Sequence, residues 1–180
     1  RANYSSARSI MRAINAHPEL ELGLVLAGAA VLPRFGDLRK LVQEEGFTPD
    51  IVTNTIVEGE TPPAMSKSIG LGMIDYSMSL EKLAPDCVVA IGDRFDVLPW
   101  VLSAAMMNVP VAHTMGGERS GTIDESIRHA ITKFANIHFP ANEDSADRII
   151  KMGEDPDTVK VVGCPRIDYV LECLNDIKAG

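Results

Sequence analysis

The feature that most constrains the fold is a regular alternation between two apolar patterns along the chain. Short, continuous apolar runs rich in β-branched residues alternate with longer segments in which apolar residues recur at helical spacing. Strands as apolar as these cannot face water on either side, so they indicate a parallel sheet with helices on both faces. We therefore predict a doubly wound, Rossmann-like α/β fold. The predicted strands span residues 20–27, 51–56, 87–91, 109–113, 137–139 and 159–162.

Helical spacing is clearest in three segments. One covers residues 4–16, and the other two carry apolar stripes that we interpret as faces turned to the core. No shift in composition marks an internal linker, so residues 1–180 are predicted to form one domain. A Rossmann-like domain begins with its central strand, whereas here a helix comes first, so we expect a further strand ahead of Arg1. The stripes consist of Met65, Ile69, Met73, Tyr76, Leu80 and Leu83, and of Ile123, Ile127, Ala130, Ile131 and Phe134.

Composition and motif content exclude several classes of function. The formal net charge of −8 predicts that the chain binds neither nucleic acid nor an anionic membrane, and no apolar run reaches the roughly 20 residues that span a bilayer. The three cysteines lack CxxC spacing, which we interpret as buried, reduced thiols in a cytoplasmic protein. No metal-ligand spacing, strand-linked GxGxxG or GxxxxGK[ST] motif is present, so no metal or cofactor is predicted.

Polar loops follow several of the predicted strands and are expected to meet at one edge of the sheet. In open parallel sheets, ligands bind beyond the carboxyl ends of the strands. One such loop is Gly92-Asp93-Arg94, where Asp93 has two interpretations. It is either the N-cap of the next helix, which the tripeptide alone favours, or a catalytic carboxylate beside Arg94 as an anion ligand.

A second such loop begins at His113 and is rich in glycine. His113 is interpreted either as a buried core histidine or as a residue of the cleft. Gly116, Gly117 and Gly121 permit positive φ and allow backbone N–H groups to approach a ligand closely. The loop alone does not decide between a structural and a binding role.

The start of the following helix contains a predicted capping box. Thr122 is expected at the N-cap and Glu125 at the third helical position, just before an apolar stripe. The capping box leaves Asp124 unexplained. Asp124 either pairs with Arg128 one turn further along the helix or faces the cleft.

Five motifs follow one another in order along nearly the whole chain. They are RANYS (1–5), TIVEGE (55–60), GDRFD (92–96), VAHTMGGERSGTIDESIRHAITK (111–133) and VGCPRID (162–168). Together these motifs resemble the N-terminal domain of hydrolysing UDP-N-acetylglucosamine 2-epimerases. The combination of GDRFD with GxxDxSIRHAITK is the most specific part of this resemblance.

The resemblance implies one half of a two-domain GT-B enzyme with a UDP-sugar in the cleft between the domains. The implied reaction eliminates UDP and releases N-acetylmannosamine for sialic acid synthesis. A missing C-terminal domain is then expected to hold most of the UDP, so the fragment alone is expected to be inactive. The resemblance also implies a homo-oligomer, for which the helix at 62–83 is a candidate interface.

The resemblance further implies roles for individual residues. Asp93 and Asp124 match catalytic carboxylates of the family, and His113 matches the histidine that opens the glycine loop, with Gly116 and Gly117 expected at the substrate. The positions expected to contact phosphate or sugar are Arg1, Ser5 and Arg94.

Two positions depart from the family pattern. Asn3 replaces the aspartate that is usual in the opening motif, and Met115 stands where many relatives have a catalytic glutamate. A thioether cannot transfer a proton, so we interpret Glu118, three residues further along, as the catalytic substitute. Two alternatives stay open: a catalytically weakened module that binds or senses sugar nucleotides, and one half of a GT-B glycosyltransferase.

Overall fold

The computed structural model of the chain describes residues 4–36, 38–59 and 61–179. Helices and strands alternate, as the apolar pattern predicts, with short 3-10 turns at Gly28–Val31, Pro33–Phe35 and Pro156–Thr158. The strands are β1 (Val25–Leu26), β2 (Ile51–Val52), β3 (Val88–Ile91), β4 (Val111–Thr114) and β5 (Ile137–Phe139). The helices are α1 (Tyr4–Ala16), α2 (Leu38–Glu44), α3 (Pro62–Leu83), α4 (Leu98–Met106), α5 (Ile123–Phe134), α6 (Glu143–Lys151) and α7 (Pro165–Ala179).

Every strand pair is parallel, which confirms the predicted α/β class. β1 pairs with β2, and β3, β4 and β5 form a second group in that order. Within the described residues these two groups are not hydrogen-bonded to each other, whereas the sequence predicted one sheet. All four residues of β4 are buried, as expected for a central strand covered on both faces.

Three predicted strands are shorter than expected or absent. The runs at 20–27 and 51–56 shrink to two residues each, and the residues beside these short strands also bond through side chains. Asp50 accepts a bond from the backbone N–H of Leu24 at 2.8 Å, and Thr53 donates to Asp75 of α3 at 2.5 Å. The run at 159–162 forms a single bridge, from Val159 to β5.

The core lies mainly between β3, β4 and the helices α3, α4 and α5. Tyr76 and Leu80 of the α3 stripe are 4% and 1% exposed, which confirms that this stripe faces the core. The prediction is wrong for Ile123, which is 64% exposed, because the first turn of α5 lies at the rim of the sheet. The main core cluster comprises Leu80, Val88, Ala90, Val101, Ala104, Val111, Ile127, Ile131 and Ala135.

The described residues also bear on the predictions about thiols, membrane spans and metal ligands. All three cysteines are free thiols, but Cys87 is exposed, so the expectation that they are all buried is wrong. Within the described ranges, no helix is both long enough and apolar enough to cross a membrane. The same ranges contain no cluster of three or more histidine, cysteine or carboxylate side chains suited to a metal ion.

Candidate active site

The Gly92-Asp93-Arg94 turn leaves the carboxyl end of β3. Gly92 has a φ of 81°, a conformation that glycine adopts readily and that turns the chain sharply after the strand. The next helix, α4, has Val97 at its N-cap, so the interpretation of Asp93 as a capping residue is wrong. Instead, the Asp93 carboxylate forms an ion pair with Arg128 of α5.

Arg128 connects the segments of the candidate site. Its side chain is only 6% exposed, and its Nη2 donates to Asp93 Oδ2. Its Nη1 donates to the backbone carbonyl of Glu118 at 2.5 Å. One guanidinium therefore links the loop after β3 to the loop after β4, as the convergence of these loops predicted.

Asp124 is not the partner of Arg128 in this structure. It is half-buried in the first turn of α5, and no ion pair joins it to another described residue. The pairing alternative for Asp124 is therefore wrong, and its expected place in the cleft stays a prediction. Arg128 is buried with Ile127 and Ile131 although it is not a member of the apolar stripe, so helical spacing alone did not mark it as a core residue.

His113 is a core histidine. Its ring is fully buried, with Nε2 3.3 Å from the carbonyl oxygen of Gly92 and Nδ1 3.3 Å from Thr132 Oγ1. Because a carbonyl can only accept, Nε2 of the neutral ring carries the proton and donates to Gly92, while the one proton of the Thr132 hydroxyl is shared between Nδ1 and the Arg128 carbonyl oxygen at 3.0 Å. Burial lowers the pKa of His113 to about 4, against the opposing effect of the Gly92 carbonyl. His113 therefore supports the Asp93 turn from within the core, through the Gly92 carbonyl, and is not accessible to a substrate.

The buried His113 predicts a loss of stability in mild acid. The His113 ring binds a proton near pH 6.5 in the unfolded chain but only near pH 4 in the folded chain. The stability that the neutral, buried ring allows is therefore complete above pH 6.5 and is lost as the pH falls toward 4. The full effect is about 3 kcal/mol. Urea unfolding at pH 7.0 and 4.5 should show a pH dependence about 2 kcal/mol smaller in His113→Gln than in the wild type. Equal pH dependence in both proteins would contradict the assignment.

Gly116 and Gly117 are required by packing against the protein. Gly117 is buried with a φ of 76°, and a Cβ there would lie 2.3 Å from the backbone oxygen of Ser145 at the start of α6. A Cβ on Gly116 would lie 3.0 Å from Nδ1 of His113. These contacts give both glycines a structural role, and the expectation that their backbone approaches a ligand stays a prediction.

The predicted capping box is replaced by a related arrangement. Thr122 occupies the N-cap of α5, but its side chain makes no capping bond. Glu125 accepts bonds from the backbone N–H groups of Ser120 and Gly121, each at 2.7 Å. These two bonds lower the pKa of the exposed Glu125 carboxyl. Glu125 therefore has the structural role expected of it. Its carboxylate bonds to the loop residues Ser120 and Gly121, however, and not to the N-cap residue Thr122 as in a capping box.

Met115 lies in the wall of the site and not in solvent. It has a φ of 58°, which is uncommon for a residue with a side chain, and it is 9% exposed. Its backbone N–H donates to Phe139 at 3.0 Å, which continues the pairing of β4 with β5. Its sulfur lies 4.0 Å from the thiol of Cys164, just before α7.

Arg94 lies at a cavity of about 280 Å³ beside the Asp93 turn. Its Nε is 3.2 Å from Oδ1 of Asp96, which orients the guanidinium, while 41% of the side chain remains exposed. Ser5 lies half-buried in the first turn of α1, and Arg1 falls outside the described residues. The cavity is lined by Ala29, Leu32, Arg34, Ile56, Val57, Ala64, Met65, Arg94 and Phe95.

A family-wide sequence profile described as UDP-N-acetylglucosamine 2-epimerase matches residues 12–180. The chain belongs to this family. The match includes both loops of the candidate site and the last five residues of α1.

Two bacterial relatives illustrate how this chain compares with curated proteins. A hydrolysing UDP-N,N'-diacetylbacillosamine 2-epimerase of Legionella pneumophila is 31% identical over 96% of this chain and 46% of its own. A UDP-N-acetylglucosamine 2-epimerase of Neisseria meningitidis is 31% identical over 99% of this chain and 48% of its own. The chain therefore spans about half the length of the curated relatives that it matches.

Solved structures of 2-epimerases share the fold. A crystal structure of Methanocaldococcus jannaschii UDP-GlcNAc 2-epimerase, in complex with UDP-GlcNAc and UDP, matches with a TM-score of 0.84 at 21% identity. It covers 98% of this chain and 48% of the other. The predicted Rossmann-like half of a GT-B type enzyme is thereby confirmed.

Proposed function

We propose that the full-length protein is a hydrolysing UDP-N-acetylglucosamine 2-epimerase. It would eliminate UDP and release N-acetylmannosamine, or a related 2-epimerised amino sugar, for the synthesis of sialic-acid-type sugars. The observation that carries the proposal is the pair of contacts made by Arg128, which bring the Asp93 carboxylate and the Glu118 segment to one buried guanidinium. Asp124 lies in the first turn of the same helix, four residues before Arg128.

The proposed reaction has two steps. A base removes the proton from C2 of the sugar while the C1–oxygen bond breaks, so that UDP leaves and 2-acetamidoglucal remains. Water then adds its hydroxyl group to C1 and a proton reaches C2 from the opposite face, which gives the free epimerised sugar. The steps require proton transfer and charge stabilisation at the departing phosphate.

We assign the proton transfers to Asp93 and Glu118 of the two converging loops and to Asp124 in the first turn of α5. Arg94 is a suitable phosphate or sugar ligand, because its guanidinium is oriented by Asp96 yet remains accessible. Ser5 is proposed to contribute from the start of α1. The Arg1 assignment rests on the sequence motif alone.

The proposal extends to the architecture of the whole protein. We propose that a second domain completes the cleft and holds most of the UDP. A strand ahead of Arg1 would fit between β1 and β3, which each pair on one side only within the described residues. We further propose a cytoplasmic homo-oligomer. Leu71, Ile74 and Met78 support an interface on α3, since all three are more than 40% exposed.

One observation favours a second candidate function. Met115 stands at the position where many hydrolysing relatives have a glutamate, and its sulfur packs beside Cys164. A methionine thioether has no proton to supply. The alternative is therefore a module that binds sugar nucleotides and has lost catalytic power.

The test is incubation of the full-length protein with UDP-N-acetylglucosamine. We expect free UDP and N-acetylmannosamine to form in equal amounts, as detected by chromatography. Binding without either product would support the weakened module, and UDP release that depends on an added acceptor would indicate a glycosyltransferase. Formation of UDP-N-acetylmannosamine without free UDP would contradict the hydrolysing mode while retaining the family.

A further inference from the structure

We propose that Arg128 is a positioning residue that holds the Asp93 carboxylate in one orientation for the reaction. This inference rests on the proposed function, because it requires Asp93 to act on the substrate. Arg128 itself would not touch the substrate. Its effect on the reaction would pass through Asp93.

The burial of Arg128 excludes an exposed, mobile guanidinium. The residue is 5% exposed, and its helix neighbours Ile127 and Ile131 are 8% and 0% exposed. Its donors are directed inward, to the Asp93 carboxylate and to the Glu118 carbonyl. By contrast, Arg94, which follows Asp93 in the chain, keeps 41% of its side chain exposed. The two arginines therefore differ in what they can bind.

The geometry of the guanidinium explains how it orients Asp93. The group is planar and rigid, and its donors point in fixed directions, so two simultaneous contacts fix the relation between the structures they join. Here the two structures are the turn after β3 and the Glu118 segment after β4. Because Nη2 engages Oδ2 of Asp93, the other carboxylate oxygen is the one left for chemistry. The Asp93 side chain remains 23% exposed.

The backbone of the same turn has an independent support. The buried His113 ring donates from Nε2 to the carbonyl oxygen of Gly92, directly before Asp93. The backbone position of the turn therefore does not depend on Arg128 alone. Loss of Arg128 should release the Asp93 side chain while the backbone at 92–94 stays in place.

Stability alone is a poor explanation for this arginine. Taking a charge out of water costs several kcal/mol, and buried ion pairs can often be replaced by apolar residues without loss of stability. Arg128 is buried beside Ile127 and Ile131, and the Asp93 carboxylate balances its charge there. A requirement for a fixed Asp93 carboxylate accounts for the charge at this position.

The test compares variants of the full-length protein by steady-state UDP release. We expect Arg128→Met to lower kcat about 100-fold while KM for UDP-N-acetylglucosamine stays within threefold. The double variant Asp93→Asn/Arg128→Met should be no slower than Asp93→Asn alone, because Arg128 acts through Asp93. Arg128→Lys keeps the positive charge but lacks the planar guanidinium with its fixed donor directions. We expect it to lower kcat about 10-fold, with an unchanged unfolding midpoint.

Arg148→Met is the matched control. Arg148 donates to the Gly117 carbonyl, so it is also an arginine that contacts this loop, but it has no contact with Asp93. We expect this variant to retain at least a third of wild-type kcat. Losses from Asp93→Asn and Arg128→Met that multiply in the double variant, or a KM that rises as far as kcat falls, would overturn the inference.

Two further results separate the inference from the proposed function. Wild-type turnover in the Asp93→Asn variant would remove the assigned role of Asp93. If Asp93→Asn is impaired while Arg128→Met and Arg128→Lys are fully active, only the role of Arg128 is overturned. A crystal structure of the Arg128→Met or Arg128→Lys protein gives a readout without turnover. We expect Asp93 to leave its wild-type rotamer, and an unchanged rotamer would contradict the inference.

Discussion

Replacing Asp93 by asparagine in the full-length protein is expected to lower kcat for UDP release about 1,000-fold. Positioned acids and bases contribute roughly 10²- to 10⁴-fold to enzyme rates, and asparagine cannot transfer the proton. The exchange keeps the size of the side chain and an oxygen that can still accept from Arg128. The loss is therefore expected in chemistry, with KM changed by less than about threefold.

The measurement is steady-state UDP release by wild type and variant under the same conditions. Asp75→Asn is a suitable control, since Asp75 is also a half-buried carboxylate with a side-chain partner, Thr53, but lies on α3. This control should stay within about threefold of the wild-type rate. An Asp93→Asn protein with more than a tenth of wild-type kcat would contradict the catalytic role.

Replacing Gly117 by alanine is expected to destabilise the protein by about 4 kcal/mol. Two costs combine: a positive φ costs about 1–2 kcal/mol for alanine, and overpacking typically costs about 1–3 kcal/mol more. The overpacking term should be at its upper end here. The new Cβ would lie 2.3 Å from the Ser145 carbonyl oxygen, a backbone atom that cannot rotate away.

Gly121→Ala separates these two costs. Gly121 has a similar φ of 70°, but a Cβ there would meet nothing within 4 Å. We expect this control to lose only the conformational part, about 1–2 kcal/mol. Urea unfolding of both variants measures the difference. Equal losses would show that the contact between Gly117 and the start of α6 does not restrict the loop.

The placement of the candidate loops was accessible from sequence. Because parallel strands end at the same edge of a sheet, the residues after β3 and β4 had to lie near one another, and Asp93 and the Glu118 segment do meet through Arg128. The helices were equally accessible, since residues 4–16 match α1. A strong apolar period decides an element locally.

Several site residues were misread because their partners are distant in sequence. Arg128 was weighed only as a partner of Asp124, four residues away on the same helix, whereas its partner Asp93 is 35 residues away. The close packing of Gly116 against His113 and of Gly117 against Ser145 was not foreseen either. Helical periodicity reports neighbours one turn apart and contains no information about which loop crosses above a helix.

The sequence by itself determined the class of fold, the edge at which the candidate site lies and the family. These follow from patterns of hydrophobicity and from motif order, which are properties of the chain alone. Only the tertiary structure decided that His113 is a buried support and that Arg128 holds Asp93. The physical reason is that burial and hydrogen-bond partners depend on which distant segments pack together. The same arginine or histidine, with the same neighbours in sequence, would behave differently in water.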